Sequence, residues 1–257
     1  MIKIWDSEGN KIEELEGHKN SVLDIIPITS QILISCSRDG SIIIWKKGRG
    51  KQFKKTSHLK LHESTVLALA KLNEQSFLSC GADGIVNQID VNGNLLGSIK
   101  AHDEWIWAVK VLSDSVIATI GEDGFIKVWK LGPFRKIDEM KIGPPLTAME
   151  YDEERKMLFV GNIKGTVTAL HFSEDFCISK KFDHQCHRDK IWVIKCKGEY
   201  IATGGEDNSV KVWKKWPMKK VDEYRHKNFV QDLIWVNETI ISASYDGKIC
   251  VNTPDLS

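Results

Sequence analysis

The sequence predicts an all-β protein of the propeller class, and three observations carry that prediction. First, short runs of β-branched and aromatic residues recur along the whole chain, with turn-forming pairs between them. The stretch 101–129, AHDEWIWAVKVLSDSVIATIGEDGFIKVW, shows the unit: strand-like runs at 105–112, 116–120 and 125–130, the last one directly after Asp123-Gly124. An Asp-Gly pair flanked by such runs is the strongest short-range hairpin signal. Second, the unit repeats. With the turn aspartate as origin, Asp39, Asp83, Asp123, Asp207 and Asp246 mark five copies, Lys164 stands where a sixth would fall, and successive spacings are 39 to 44 residues. Third, other positions keep step with that aspartate. Four residues before it stand Ser35, Ser79, Thr119, Thr203 and Ser242; six after it, Trp45, Ile89, Trp129, Trp213 and Asn252; 20 or 21 before it, His18, His62, His102, His187 and His226. A period of about 40 with four short strands per unit is the signature of a propeller blade.

The chain resembles the WD40-repeat proteins. Gly17-His18 and Trp5-Asp6 match that family's two dipeptide signatures letter for letter, and the resemblance extends over nearly all 257 residues. It implies a single propeller domain, 1–257, with a half repeat at 1–16 and six repeats near 17–60, 61–100, 101–142, 143–185, 186–224 and 225–257.

Composition agrees with that class. Hydrophobic content of 42% with 28% charged residues is ordinary for a globular chain, and a net charge of +1 sets up no global field for nucleic acid or acidic lipid. No run of 18 apolar residues reads as a membrane span, and the opening Met1–Trp5 does not read as a secretory signal. Six cysteines (Cys36, Cys80, Cys177, Cys186, Cys196, Cys250) show no CxxC pair and fall mostly in strand patterns. They read as reduced and buried, which points to cytoplasm or nucleus.

The elements follow in order. Ile2–Trp5 matches a third strand (compare Ile126–Trp129), and Lys11–Glu16 matches the outer strand that precedes each histidine. Repeat one holds strands at 21–28, 32–37 and 41–46 with an outer strand near 52–57; repeat two at 65–72, 76–80, 85–91 and 94–100. Repeat three adds an outer strand near 134–139 to its three runs. Repeat four (146–151, 157–161, 166–172, 176–182) has lost His, Asp and Trp and keeps Gly165 at the turn, so it is expected to be the loosest blade. Repeat five holds 190–196, 200–204, 209–214 and 219–224; repeat six holds 229–236, 239–244 and 248–253, with no outer strand. An unpaired edge there raises the question of closure. Either Lys11–Glu16 pairs with the third strand of repeat six and closes six blades, or residues 2–16 are the outer half of a seventh, incomplete blade whose inner strands are missing or come from a partner.

Ser or Thr, His and Asp within reach of one another resemble a catalytic triad. A triad occurs once per site, whereas this set returns in five repeats, and the structural reading is preferred. Aspartate accepts from the backbone and holds the imidazole; the imidazole bonds the hydroxyl; the hydroxyl accepts from the indole N–H, so no buried polar group is stranded. The set is complete in His18, Ser35, Asp39, Trp45; in His102, Thr119, Asp123, Trp129; and in His187, Thr203, Asp207, Trp213. Repeats two and six lack the Trp. The segment Phe182-Asp-His-Gln-Cys-His187 superficially resembles a soft-metal site, but His187 already has a structural role and no second ligand pair is near. No metal, cofactor or catalytic residue is assigned. The basic runs 45–55 and 213–220 read first as a solvated bottom edge, and second as a phosphate-binding patch in which Phe53 and Trp216 stack or insert. The double-arginine motif of lipid-binding propellers is absent.

In the resembling family three positions per repeat reach the top face: three and five after the His, and one before the Asp. Repeat one places Ser21, Leu23 and Arg38 there; repeat two Thr65, Leu67 and Ala82; repeat three Trp105, Trp107 and Glu122; repeat five Lys190, Trp192 and Glu206; repeat six Phe229, Gln231 and Tyr245. Aromatics gather on repeats three, five and six beside two acids. They either plug the channel or anchor a peptide, with the acids facing its Lys or Arg. The expected function is a non-enzymatic scaffold or adaptor that holds a peptide or a partner domain on this face within a multiprotein complex. An RNA or anionic-membrane adaptor using the basic bottom loops is the alternative.

Overall fold

The structure, a computed structural model, describes residues 1–48 and 52–256, without the side chain of Lys180. Part of the basic run 45–55 (Arg49, Gly50, Lys51) lies outside the described residues. Among the described residues there are 25 elements, all of them strands. β1 (Ile2–Trp5) and β2 (Lys11–Leu15) form a two-stranded sheet. Blade one is β3 (Val22–Thr29), β4 (Ile32–Ser37), β5 (Ile42–Lys47) and β6 (Phe53–Leu59); blade two is β7 (Val66–Lys71), β8 (Ser76–Gly81), β9 (Ile85–Asp90) and β10 (Leu95–Lys100). Blade three is β11 (Ile106–Ser113), β12 (Val116–Gly121), β13 (Phe125–Lys130) and β14 (Arg135–Lys141). Blade four is β15 (Leu146–Asp152), β16 (Met157–Asn162), β17 (Thr166–Phe172) and β18 (Ile178–Gln185). Blade five is β19 (Ile191–Lys197), β20 (Tyr200–Gly205), β21 (Ser209–Lys214) and β22 (Lys219–Arg225). The last sheet has three strands, β23 (Val230–Val236), β24 (Thr239–Ser244) and β25 (Ile249–Asn252). The order in each sheet is sequential, the antiparallel meander of a propeller blade. Among the described residues no helix is long and apolar enough to cross a membrane.

Local chemistry accounts for the meander. The residue after each turn aspartate adopts a left-handed backbone, which glycine tolerates without a Cβ penalty. At Gly165 φ is +79°, and an added Cβ would stand 2.1 Å from the His187 carbonyl oxygen; in repeat five Asn208 fills that place at φ +64°. The outer strand of blade four starts two residues later than its sequence pattern implied, because Phe176 is itself left-handed (φ +61°) and belongs to the turn.

The chain folds as two compact units, 1–121 with 129–136, and 122–128 with 137–257. In the first, the facing sides of blades one and two bury Ile28, Ile34, Cys36, Ile42 and Ile44 against Val66, Leu69 and Phe77. Blades two and three do the same through Leu78, Cys80 and Val86 against Ile106, Val109 and Ile117. The β1–β2 sheet packs through Ile2, Ile4 and Leu15 on Ile43, Leu33 and Trp45 of blade one, the arrangement of the outer half of a blade. In the second unit Phe159, Val167 and Ala169 face Ile191 and Ile194, and Val193, Ala202, Val210 and Val212 face Val230 and Leu233. At ~25 cal/mol per Å² these aliphatic interfaces are the main cohesive contribution.

Candidate interaction face and the polar relays beneath it

Five of the six repeats are organised around a histidine relay, blade four being the exception. In blade five the His187 ring nitrogens lie 2.8 Å from Asp207 Oδ1 and 2.7 Å from Thr203 Oγ1, and Trp213 Nε1 donates to the same hydroxyl at 3.0 Å. In blade one His18 Nε2 is 2.8 Å from Ser35 Oγ, which accepts from Trp45 Nε1 at 2.8 Å. There Ser41 is interposed: its hydroxyl lies 3.0 Å from His18 Nδ1 and donates to Asp39 at 2.5 Å. In blade three His102 Nε2 and Trp129 Nε1 meet at the Thr119 hydroxyl, at 2.8 and 3.0 Å; Asp123 accepts the Phe125 N–H at 3.0 Å. Blade two keeps His62, Ser79 and Asp83, with Ile89 buried in the Trp position. Blade six keeps His226 and Ser242 at 2.8 Å, with Asp246 3.4 Å from the ring.

The electrostatics follow from these contacts. Burial raises the Asp207 pKa, but hydrogen bonds from His187, Ser209 and Lys211 outweigh it and hold the carboxyl far below the usual range. Asp39 is depressed in the same manner, with Ser41 and the Lys19 N–H overcoming burial. Burial lowers the His18 pKa despite the pull of Asp39.

A fifth relay position escaped sequence reasoning, the residue four after the aspartate. Lys211 Nζ bonds Asp207 at 2.9 Å and the Cys186 carbonyl at 3.0 Å; Asn87 donates to the Leu61 carbonyl at 3.0 Å beside His62. The spacing was visible, but a lysine on a strand reads as solvent-facing. Lys215 is a clearer correction. Within a run expected to be a solvated edge, it is almost fully buried, bonded to Asp152 of blade four at 2.5 Å and to the Gly198 carbonyl at 2.6 Å. Blade four, without its own histidine, is thus tied to blade five by a buried ion pair. Asn162 supplies the turn acceptor there, taking the N–H groups of Lys164 and Thr166.

The segment 182–187 is dispersed in the structure. His184 packs edge-on against Trp213 at 5.3 Å, His187 enters its relay, and burial pushes the Cys186 thiol up to about 12. Cys177 departs from the expectation of burial: it is exposed, because it sits where the Ser173–Cys177 turn closes.

One backbone hydrogen bond recurs above the relays. The residue before the aspartate donates to the carbonyl three after the histidine: Arg38 to Ser21 (3.0 Å), Ala82 to Thr65 (2.9 Å), Glu206 to Lys190 (2.8 Å), Tyr245 to Phe229 (3.0 Å). Two of the three face positions are therefore neighbours within each of these repeats. In the first unit Trp105 and Trp107 stand on either side of buried Ile106, with ring centroids 5.7 Å apart, and Arg38 is exposed. In the second unit Phe229 and Tyr245 meet edge-on at 6.4 Å, both exposed. Lys190 places its ammonium 3.5 Å from the centre of the Trp192 ring. Burial lowers the Lys190 pKa, and the charges of Glu206 and Glu122 oppose that shift. The aromatic-and-acid pocket expected for a partner's cation is thus faced by a cation of the chain itself.

Sequential four-stranded meanders carrying a His–Ser/Thr–Trp relay define a β-propeller repeat protein. The family described as "WD domain, G-beta repeat" matches at residues 9–46, 93–130 and 177–214. The chain thus carries WD40 repeats in three places and resembles proteins named for them; propellers of that family generally act as non-enzymatic scaffolds that bind other proteins. It is 28% identical over 124 residues to the mouse "WD repeat and FYVE domain-containing protein 1", a match taking in 45% of this chain and 30% of that protein. It is 25% identical over 257 residues to the "Nuclear distribution protein PAC1" of Ajellomyces capsulatus, covering 95% of this chain and 51% of that one. The chain therefore spans under two thirds of the length of either relative. A crystal structure of the computationally designed Ika8 protein superposes over 97% of this chain and 76% of that one, with TM-score 0.77 and 23% identity, a likeness of fold alone.

Proposed function

We propose that this protein is a WD40 scaffold that holds a peptide or domain of a partner at the top-face positions of its repeats: Arg38, Trp105 and Trp107 in the first unit, and Glu122, Lys190, Trp192, Glu206, Phe229 and Tyr245 in the second. The observation that supports this reading most is the pairing of aromatics beside buried relays: exposed Trp105 with half-buried Trp107, and exposed Phe229 against exposed Tyr245. Aromatic anchors on a rigid frame are the usual seat of binding energy, about 2 kcal/mol or more each. Capture of partners by the wild-type chain, followed by quantitative comparison with Trp105→Ala and Tyr245→Ala chains of unchanged circular dichroism, tests it. Loss of the same partners from both variants is expected. Folded variants that retain every partner, with Lys47→Glu and Lys219→Glu variants that lose them, refute it.

One observation favours the alternative of an RNA or anionic-membrane adaptor. Trp216 and Phe182 are exposed, 5.7 Å apart edge-on, with His171 6.4 Å from Trp216 and 6.2 Å from Phe182, and exposed Lys214 and Lys219 near in sequence. Phosphate-driven binding falls steeply with salt and aromatic-anchored peptide binding much less, so a salt series separates the two.

A further inference from the structure

The repeats supply their own standard for what should be buried. Four and seven residues after the histidine, the first strand of a blade presents two aliphatic side chains to the blade before it. Val66 and Leu69, Ile106 and Val109, Ile191 and Ile194, Val230 and Leu233 are all between 0% and 6% exposed. Each pair is covered by the inner strands of the preceding blade. Ile28 and Ile34 lie over the first pair, Leu78 and Cys80 over the second, Met157 and Phe159 over the third, Val193 and Ala202 over the fourth. The equivalent pair in blade one is Val22 and Ile25. Val22 is only partly buried and Ile25 is 39% exposed.

The reason lies in the β1–β2 sheet. It packs on blade one through Ile2, Ile4 and Leu15, as the third and fourth strands of a blade do, and among the described residues no further strand joins it. In a full blade the third strand is paired on both sides, as β5 is with β4 and β6. β1 belongs to a two-stranded sheet whose other member is β2. One strand edge and one pair of aliphatic side chains, side by side in the first unit, are both without what covers them elsewhere. A free edge of this kind is a template for strand addition.

We propose that this slot binds a two-stranded β-hairpin from a partner protein, which pairs with β1 and lies over Val22 and Ile25. The repeats also specify its chemistry. At the point where the second strand crosses the next blade's first aliphatic residue, this chain places small residues in five of six repeats, Cys36, Cys80, Gly161, Gly204 and Ala243, with Ile120 of blade three the exception. A Cβ on Gly161 would stand 2.8 Å from an Ile191 methyl, and one on Gly204 would stand 2.6 Å from a Val230 methyl. The hairpin therefore carries aliphatic residues toward β3 and a glycine, cysteine or other small residue opposite Val22. A second copy of the chain is a poor donor, since its inner strands β3–β4 through β23–β24 are all paired within their own sheets. Taken alone, the second unit shows a deficiency of the same kind. Ile249 and Val251 of β25 are 66% and 65% exposed, whereas their counterparts Val210 and Val212 in blade five are 0% exposed.

The test uses the full chain with a synthetic peptide copying residues 61–84, the first two strands of repeat two, as the probe. A second version of the protein carries the same segment joined ahead of Met1. Amide exchange of residues 2–5 and 22–25, the thermal midpoint and sedimentation are followed. Expected are protection of those amides and a raised midpoint with the peptide in trans, and at least about tenfold weaker binding for Ile25→Glu, whose own midpoint barely moves because the site is already half exposed. The joined hairpin should raise the midpoint as well, and in that chain Ile25→Glu should become costly. Stabilisation by the joined hairpin with no binding of the free peptide overturns the partner and assigns the slot to a covalently continuous strand pair. Protection of residues 2–5 that grows with protein concentration alone, alongside a dimer, overturns it in favour of a second copy. No protection and no stabilisation by either form overturns the slot itself.

Discussion

Replacing Asp207 with alanine removes the acceptor at the centre of blade five. The carboxylate takes hydrogen bonds from His187 Nδ1 at 2.8 Å, Ser209 Oγ at 2.5 Å, Lys211 Nζ at 2.9 Å and the Arg188 and Ser209 N–H groups at 3.3 and 3.2 Å. Ser209 can turn to His187 Nδ1, already 3.4 Å away, and Lys211 keeps the Cys186 carbonyl. What is left is a buried ammonium with one partner and two backbone donors with none. Stranding a buried donor costs about 1–3 kcal/mol, and an uncompensated buried charge about 3–5 kcal/mol. Partial rescue by Ser209 and Cys186 sets the expectation at ~2–4 kcal/mol, a drop of roughly 4–16 °C in thermal midpoint for a chain of this size. Lys164→Ala, at the same repeat position in blade four, removes an exposed side chain and should stay within about 0.5 kcal/mol. The pH dependence has a fixed sign. Asp207 is depressed in the folded state and titrates at about 3.9 when unfolded, so its contribution is complete above that pH and is lost as pH falls toward the folded value. The gap between wild type and variant should hold from neutral pH to about 5 and close below 4. Thermal and urea unfolding at pH 7, 5 and 3 measure it. Equal midpoints for Asp207→Ala and Lys164→Ala at pH 7 would refute the structural account of the relay.

Two further outcomes are expected. Burial depresses the His18 pKa, so the unfolded chain takes up that proton first, and blade one should lose stability as pH falls below about 6.5; a His18 imidazole titrating at or above that value by NMR contradicts this. Asp152→Ala strands Lys215 with only the Gly198 carbonyl and should cost about 3–5 kcal/mol, while Asp152→Leu combined with Lys215→Met should recover much of it; a single variant costing under about 1 kcal/mol contradicts a buried pair.

Much of this fold is legible in the chain because each repeat is a local device. His187, Thr203, Asp207 and Trp213 lie within 27 positions of one another, and hairpin turns are dictated by residues with left-handed backbones, Asn208 in this repeat and Gly165 in the one before. Alternation places Ile106 inward between Trp105 and Trp107 with no tertiary information. Strand order within each sheet follows from the same short connections, which admit little but a meander.

The tertiary structure decided what depends on contacts between repeats. Lys215 reads as one more lysine in a basic run, and only the approach of Asp152, 63 positions away, makes it a buried cation. Lys190 reads as a partner-facing charge until its ammonium is found over the Trp192 ring. Ile25 and Ile249 carry the same aliphatic pattern as Leu69 and Val210, and their exposure was invisible because burial is a property of the neighbouring sheet. Sequence pattern determines which face of a strand is apolar; whether another sheet stands against that face is a matter of space, and that decided which of these aliphatic side chains are buried.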